Sequence, residues 1–262
     1  MKYKLGLVGL GNMASALIEG WKNRGRDARE ILGFDIKEDR CKFARERFGI
    51  DIARDINNIT DAEIIVLAVK PQDFSHLSMK PSPDTVIVSI MAGVPLKKIE
   101  ESFPDSPVIR IMPNLLCSIN SSFIPFVCND RVDDIKKDKF ISWFTDFGEV
   151  VEVKEPLMNI MTALNGSGPG FVSYLIEAFS EAGVYGGLPY DVALKLTLSI
   201  FEGTSRYLKE KVISPNSFRL SVTSPGGTTS RGIWALEKAG IRGAIYDMIR
   251  LSTDRAKELE NS

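Results

Sequence analysis

Leu5-Gly6-Leu7-Val8-Gly9-Leu10-Gly11-Asn12-Met13-Ala14 is a short apolar run that breaks at a glycine turn and passes at once into a helical pattern. Met13, Leu17, Ile18 and Trp21 recur on one face at 3.6-residue spacing. The glycines read Gly9-x-Gly11-x-x-Ala14, the strand-to-helix turn of a dinucleotide site. Gly9 allows the tight turn, Gly11 lets a pyrophosphate approach the backbone, and the small Ala14 lets helix and strand pack closely. The helix start then offers free N–H groups and a partial positive charge to phosphate. The pattern is short. Its place between a strand and a helix gives it weight.

Working outward, the chain of 262 residues is long enough for one large domain or two ordinary ones. With 44% apolar and 26% charged residues it has the composition of a soluble globular protein. A formal net charge of -1 gives no reason to expect nucleic acid as a partner. No apolar run is long enough for a membrane span, and the glycine-broken N-terminal run is no signal peptide. Cys41, Cys117 and Cys128 are an odd, widely spaced set, which argues against a disulfide framework and against a zinc site. No metal is expected, and the cytoplasm is the expected compartment.

From Lys4 to about Val153, apolar runs alternate with helical patterns, which predicts a parallel sheet with crossover helices. The strands are read at Ile31–Ile36, Glu63–Val69, Thr85–Ile90, Val108–Met112, Phe123–Cys128 and Glu149–Val153, with a helix over Ile135–Phe147. Asp35 ends the second strand about 20 residues beyond the glycine turn, where an acid commonly binds the adenosine ribose. Such an acid favours NAD, because it repels a 2′-phosphate; Lys37 and Arg40, close behind it, would serve NADP. The run Glu63–Val69 ends in Lys70-Pro71-Gln72, at the carboxyl end of a strand, where ligands gather in open α/β sheets. Met91-Ala92-Gly93 follows the next strand with small residues that allow close approach of a ring. His76, the single histidine, lies in a polar stretch after Pro71 and is not expected to be catalytic.

The pattern changes at Lys154-Glu155-Pro156, and beyond it only helical periods are seen. Phe171–Gly183 is apolar nearly all round, so burial against a second copy of the chain is expected. Another helix runs from Leu188-Pro189 to about Lys209. Two glycine motifs interrupt this half: Asn165-Gly166-Ser167-Gly168-Pro169-Gly170, read as a loop, and Ser221-Val222-Thr223-Ser224-Pro225-Gly226-Gly227-Thr228-Thr229, which leads into a helix over Gly232–Ala239. Bare N–H groups at a helix start, with no side chain at Gly226 or Gly227, suit a carboxylate, and Thr228 and Thr229 add hydroxyls. The alternative is a Pro-Gly-Gly turn with threonine N-caps.

Taken together, the turn at Gly9, Ala68-Val69-Lys70-Pro71-Gln72, Arg110-Ile111-Met112-Pro113-Asn114, Gly166-Ser167-Gly168-Pro169 and Val222 to Thr229 resemble the Δ1-pyrroline-5-carboxylate reductase family, in order and spacing along essentially the whole chain. The resemblance implies an α/β fold: an N-terminal Rossmann-type dinucleotide-binding domain over 1–154, then an all-α dimerisation and substrate domain over 155–262. It implies NADH or NADPH as cofactor and hydride transfer to the C=N bond of a cyclic imino acid, giving L-proline. It also implies a homodimer or higher homo-oligomer, with active sites that take residues from both subunits. By the same resemblance Gly9, Leu10, Gly11, Asn12, Met13, Ala68, Val69, Lys70, Pro71, Met91 and Ala92 contact the cofactor, alongside Asp35. Gly226, Gly227, Thr228 and Thr229 hold the substrate carboxylate, and Thr229 approaches the ring nitrogen as the catalytic side chain.

The chain departs from the family at Leu115-Leu116, where Thr-Pro is usual, and at Asn165 and Gly170, where Ser or Ala is usual. By the resemblance, these changes would alter the cofactor-facing wall or the substrate rim. The chemistry agrees with what the sequence lacks. A ketone needs an acid for its developing alkoxide, whereas a cyclic imine can bind as the iminium with its proton already in place. Two other readings share the architecture: a β-hydroxyacid-type dehydrogenase, which needs a lysine acid for which Lys195 is the nearest candidate, and a non-catalytic dinucleotide-binding homologue.

Overall fold

A computed structural model describes residues 3–260. Among them the first half forms an eight-stranded sheet in the order β3-β2-β1-β4-β5-β6-β7-β8. The strands are β1 (Tyr3–Val8), β2 (Ile31–Phe34), β3 (Asp51–Ile52), β4 (Ala62–Leu67), β5 (Val86–Ser89), β6 (Val108–Ile111), β7 (Ser122–Cys128) and β8 (Gly148–Glu152). β1 to β6 are mutually parallel, as the alternating pattern predicts. One expectation is corrected: β7 runs antiparallel to β6. Only a short 3-10 turn, Leu115–Ile119, joins these two strands, and a parallel partner requires a longer crossover. The edge pair at β3 was not legible, because two residues carry no period.

Both faces of the sheet are buried, which is why its strands read as continuous apolar runs. Ile64 and Val66 of β4 enter one core layer with Leu17, Ile18 and Trp21 of helix α1 (Asn12–Asn23) and Phe140 and Phe144 of α4 (Asp134–Phe144). Ile65 and Leu67 enter the opposite layer with Ile99 of α3 (Leu96–Ser102) and Phe103. Helix α2 (Glu38–Phe48) adds Ala44 and Phe48 to the first layer, with Cys41 packed partly against it. Trp21 is fully buried, stands edge-on to Trp143 at 5.5 Å and Phe144 at 5.8 Å, and donates Nε1–H to the Trp143 carbonyl at 2.9 Å.

The rest is helical: α5 (Met158–Met161), a π-turn over Thr162–Gly166, α6 (Gly168–Tyr185), α7 (Tyr190–Lys211), α8 (Pro215–Ser221), α9 (Thr228–Lys238) and α10 (Ile241–Glu260). The glycine motif at 165–170 is therefore not a loop. It is the junction of a π-turn and a helix, and Gly168 and Pro169 stand in the first turn of α6, where proline's missing N–H costs nothing. By contacts the chain divides into a first unit of Met1–Pro169 with Ser252–Ser262, and a second of Gly170–Leu251. This division falls later than the change of sequence pattern at 154–155, because Met158 is buried with Met112 and Val127 of the sheet unit. In the second unit Val172, Tyr174, Phe179, Tyr190, Leu196 and Trp234 are exposed, a large apolar surface of the kind that marks an interface. Among the described residues no helix is long and apolar enough to cross a membrane.

Replacing Trp21 with alanine removes a buried indole and its hydrogen bond. It is expected to lower the unfolding free energy by about 3–5 kcal/mol, read from the shift of the urea midpoint.

Candidate functional site

β1 stops at Val8 and the chain turns at Gly9, whose φ is +96°. A Cβ there would lie 2.6 Å from the Ala68 carbonyl oxygen, so only glycine fits. The Gly9 N–H donates to the Phe34 carbonyl at 2.8 Å, and the Ala68 N–H donates to the Val8 carbonyl at 2.8 Å. Gly11 is the N-cap of α1 and supplies no side-chain cap. A Cβ on Gly11 would meet nothing within 4 Å: the space in front of it is open. The first N–H groups of α1 thus face outward without a capping side chain, a ready donor set for an anion. Beside them is a cavity of about 280 Å³ bordered by Gly11, Asn12, Ser15, Asp39, Arg40 and Phe43. A second, of about 770 Å³, runs along the ends of β2 and β3 past Phe34, Asp35, Arg45 and Arg54. Bare glycine, free amides and adjoining cavities fit a dinucleotide phosphate bridge with its nucleoside. Ser15, one turn into α1, escaped the sequence reading because the glycine pattern ends at Ala14.

Asp35 is more deeply engaged than its sequence position suggests. Its side chain is only 4% exposed. One carboxylate oxygen accepts from the Leu10 N–H at 2.8 Å and from Arg40 Nη1 at 3.3 Å, and the other accepts from the Lys37 N–H at 2.9 Å. The acid fastens the glycine turn to the end of β2 and balances the Arg40 charge, so the acid and the base that argued for opposite cofactors form one ion pair.

Because β1, β4, β5 and β6 are parallel, their carboxyl ends share one edge of the sheet. The same edge carries Gly9 to Met13, Ala68 to Pro71, and Met91-Ala92. Ala68 and Val69 are half-buried, and Lys70 and Pro71 are exposed at the start of a 3-10 turn that ends at His76, itself exposed. Met91 is buried and Ala92 packs against Met112, Val127 and Met158. Beyond β6, Asn114 donates to the Asn165 carbonyl and side-chain oxygens, both at 3.1 Å. Asn165 in turn donates to the Met112 carbonyl at 2.6 Å and the Phe123 carbonyl at 2.9 Å. The asparagine in place of a smaller residue at 165 thus ties the π-turn to the segment after β6. Leu115 and Leu116 are exposed. Burial pushes the Cys117 thiol up and that of Cys128 up to about 11, so neither is a thiolate at neutral pH.

In the second unit, Gly226 has φ +71° and open space where a Cβ would be. Gly227 is the N-cap of α9, again without a side-chain cap. The threonine N-cap alternative is thereby corrected: Thr228 and Thr229 are the first helical residues, exposed, and their amides have no capping partner. Ser230 donates its hydroxyl to the Gly227 carbonyl at 2.8 Å, which steadies the turn from within. Lys195 is 81% exposed on α7 and faces Asp191 at 3.8 Å, a surface pair rather than a catalytic acid.

Residues 155–259 match the family model for the pyrroline-5-carboxylate reductase dimerisation domain, and residues 4–93 match that for coenzyme F420-dependent NADP oxidoreductases. A pyrroline-5-carboxylate reductase of Synechocystis is 34% identical, over 99% of this chain and 99% of its own length. The crystal structure of the Streptococcus pyogenes 1-pyrroline-5-carboxylate reductase is similar with a TM-score of 0.89 and 29% identity, covering 97% of this chain and 98% of that one. Plasmodium falciparum pyrroline carboxylate reductase with NADP bound gives 0.88 and 25%, covering 99% of each chain.

The two glycines of the first turn separate in their effects. Gly9→Ala is expected to destabilise the fold by more than about 2 kcal/mol through its strained φ and backbone clash. Gly11→Ala is expected to change stability by no more than about 0.5 kcal/mol, since its Cβ enters open space. Thermal and urea unfolding of the two variants measure this difference.

Proposed function

The chain belongs to the pyrroline-5-carboxylate reductase family, and from that membership we propose that it is an NAD(P)H-dependent reductase of 1-pyrroline-5-carboxylate, forming L-proline in the cytoplasm. The observation that carries the reading is that α1 at Gly11 and α9 at Gly227, one in each unit, each start on a glycine N-cap that offers no side chain to their first amides. Two anionic groups need such sites in this reaction: the pyrophosphate of the dinucleotide and the carboxylate of the imino acid.

Residues 1–154 act as the dinucleotide domain. Gly9 and Leu10 shape the turn, their own amides engaged by Phe34 and Asp35, and the amides of Gly11, Asn12 and Met13 hold the pyrophosphate. Asp35 fixes the turn and stays within reach of the ribose, while Arg40 and Lys37 offer positive charge to a 2′-phosphate. Ala68 to Pro71 and Met91-Ala92 form the wall that the nicotinamide half lies against. The reduced nicotinamide, when bound, supplies the hydride to the imine carbon.

Residues 155–262 act as the substrate and dimerisation domain. The amides of Thr228 and Thr229 bind the carboxylate, and Gly226 and Gly227, without side chains, leave room for it. The Thr229 hydroxyl faces the ring nitrogen and orients the iminium. No side chain has to deliver a proton, because the iminium already carries the one that the product amine keeps. Holding the ring in one orientation supplies a proximity effect worth several kcal/mol, up to about 10. The exposed apolar faces of α6 and α7 are covered by a second copy of the chain, in a homodimer or a larger assembly built from it.

Adding pyrroline-5-carboxylate is expected to oxidise NADPH or NADH in the presence of the protein, followed by the loss of reduced-nicotinamide absorbance; no oxidation would refute the assignment. Thr229→Val is expected to lower kcat by about tenfold to a hundredfold while the Kd for the reduced dinucleotide stays unchanged. Unchanged turnover removes Thr229 from the mechanism.

A further inference from the structure

Arg110 is a guanidinium with no exposed side-chain surface, set in β6 beside Ser89 of β5. It reaches two carboxylates through a single nitrogen: Nη1 donates to Glu155 at 2.5 Å and to Glu260 at 2.9 Å. Nε and Nη2 find no partner among the described residues. A buried cation held this way depends on both carboxylates, since an unpaired charge in the interior is costly.

Each carboxylate leads on to a structural neighbour. Glu155 accepts from the Leu96 N–H at 3.0 Å and so fixes the first turn of α3. Glu260 accepts from Asn159 Nδ2 at 2.8 Å. Beside Glu260, Leu259 lies against Gly93, whose φ is +73°. A Cβ on Gly93 would sit 2.7 Å from the Leu259 Cβ and 3.0 Å from its backbone carbon. The residues from Ser252 onward count with the first unit, so this contact is internal to it. The end of the last helix thus presses on the glycine that follows Met91 and Ala92, and Arg110 holds it there.

We propose that Glu260 and Arg110 are positioning residues for the nicotinamide half of the site: they latch the end of α10 against Gly93 and so set the Met91–Gly93 segment in place. The proposal rests on the reading of Met91-Ala92 as part of the nicotinamide wall. It separates the two ends of the cofactor. The phosphates and adenosine are held at Gly9 to Asp35, which the latch does not touch; the nicotinamide end is held by a segment that it does.

The test compares ligands that share one end of the dinucleotide. Binding of NADPH and NADH, and of ADP-ribose and its 2′-phosphate, which lack nicotinamide, is titrated calorimetrically against the wild-type chain, Glu260→Ala, Glu260→Gln and Asn159→Ala. Glu260→Ala is expected to weaken the reduced dinucleotide by about tenfold, the size of one lost charge-assisted hydrogen bond. The nicotinamide-free ligands are expected to stay within about twofold of wild type, as are all ligands with Glu260→Gln, which still accepts from Arg110. Asn159→Ala leaves the Arg110–Glu155 pair intact and is expected to show the same selectivity to a smaller degree. It carries the test if Glu260→Ala does not fold.

Equal weakening of both ligand classes, or unchanged NADPH and NADH binding in folded Glu260→Ala (or in Asn159→Ala, where Glu260→Ala does not fold), overturns the latch. Dinucleotide binding to the wild-type chain without imine reduction refutes the proposed activity and leaves the latch standing on its own result. A wild-type chain that binds neither NADPH nor NADH overturns both.

Discussion

The backbone of Gly9 passes so close to the end of β4 that a single carbon would collide with the Ala68 carbonyl oxygen at 2.6 Å. The candidate dinucleotide site depends on that approach. It lets β1 end beside both β2 and β4, where the order of strands reverses and a crevice opens at the carboxyl edge of the sheet. The same turn delivers Gly11 to the start of α1 with no side chain over it, so the first amides of the helix stay free for an anion. Asp35 belongs to this constraint as well. By accepting from the Leu10 amide at 2.8 Å it holds the turn in the one conformation that leaves the amides outward.

Around the turn, apolar burial and buried charge divide the work. Two apolar layers clamp the sheet from its two faces and fix the register of β1 to β6. At β6 the core admits a charged group, Arg110, and surrounds it with Glu155 and Glu260. Replacing such a group with a packed apolar residue is often neutral or stabilising, so its presence in a core argues for a geometric role more than a stabilising one. It joins three stretches that are far apart in the chain: the strand, the link after β8 and the last turn of α10. The second unit follows a different plan. Its helices bury few of their own side chains and show aromatic and aliphatic residues outward, which suits a surface built to be covered by another copy.

Much of this was legible in the sequence, for physical reasons that can be named. Parallel strands covered on both faces appear as unbroken apolar runs, so β4, β5 and β6 were found nearly in place. The glycine turn declared itself because few residues tolerate a positive φ at a backbone contact. The sequence pattern starts α9 later, at Gly232, than the structure does, at Thr228, since threonines without a capping bond look the same in sequence as threonines with one. The stretch Asn165–Gly170, which joins a π-turn to α6, reads in sequence as a loop because three glycines and a proline imitate one. The antiparallel β7 escaped because strand direction is a property of the connection, and the short turn at Leu115–Ile119 carries no periodic signal.

Local rules therefore determined the elements and the chemistry at their ends: where the chain turns and which residues are small enough to admit a ligand. These follow from φ, ψ and hydrogen-bonding capacity within a few residues, and a linear reading contains them. Only the tertiary structure decided what Asp35, Asn165 and Arg110 do. A lone acid, amide or guanidinium in a sequence is compatible with solvent, with a ligand or with a buried partner, and the choice is made by groups up to 150 positions away along the chain. Long-range pairing costs chain entropy that local sequence does not record. For that reason the edge of the sheet was foreseeable, and the latch behind it was not.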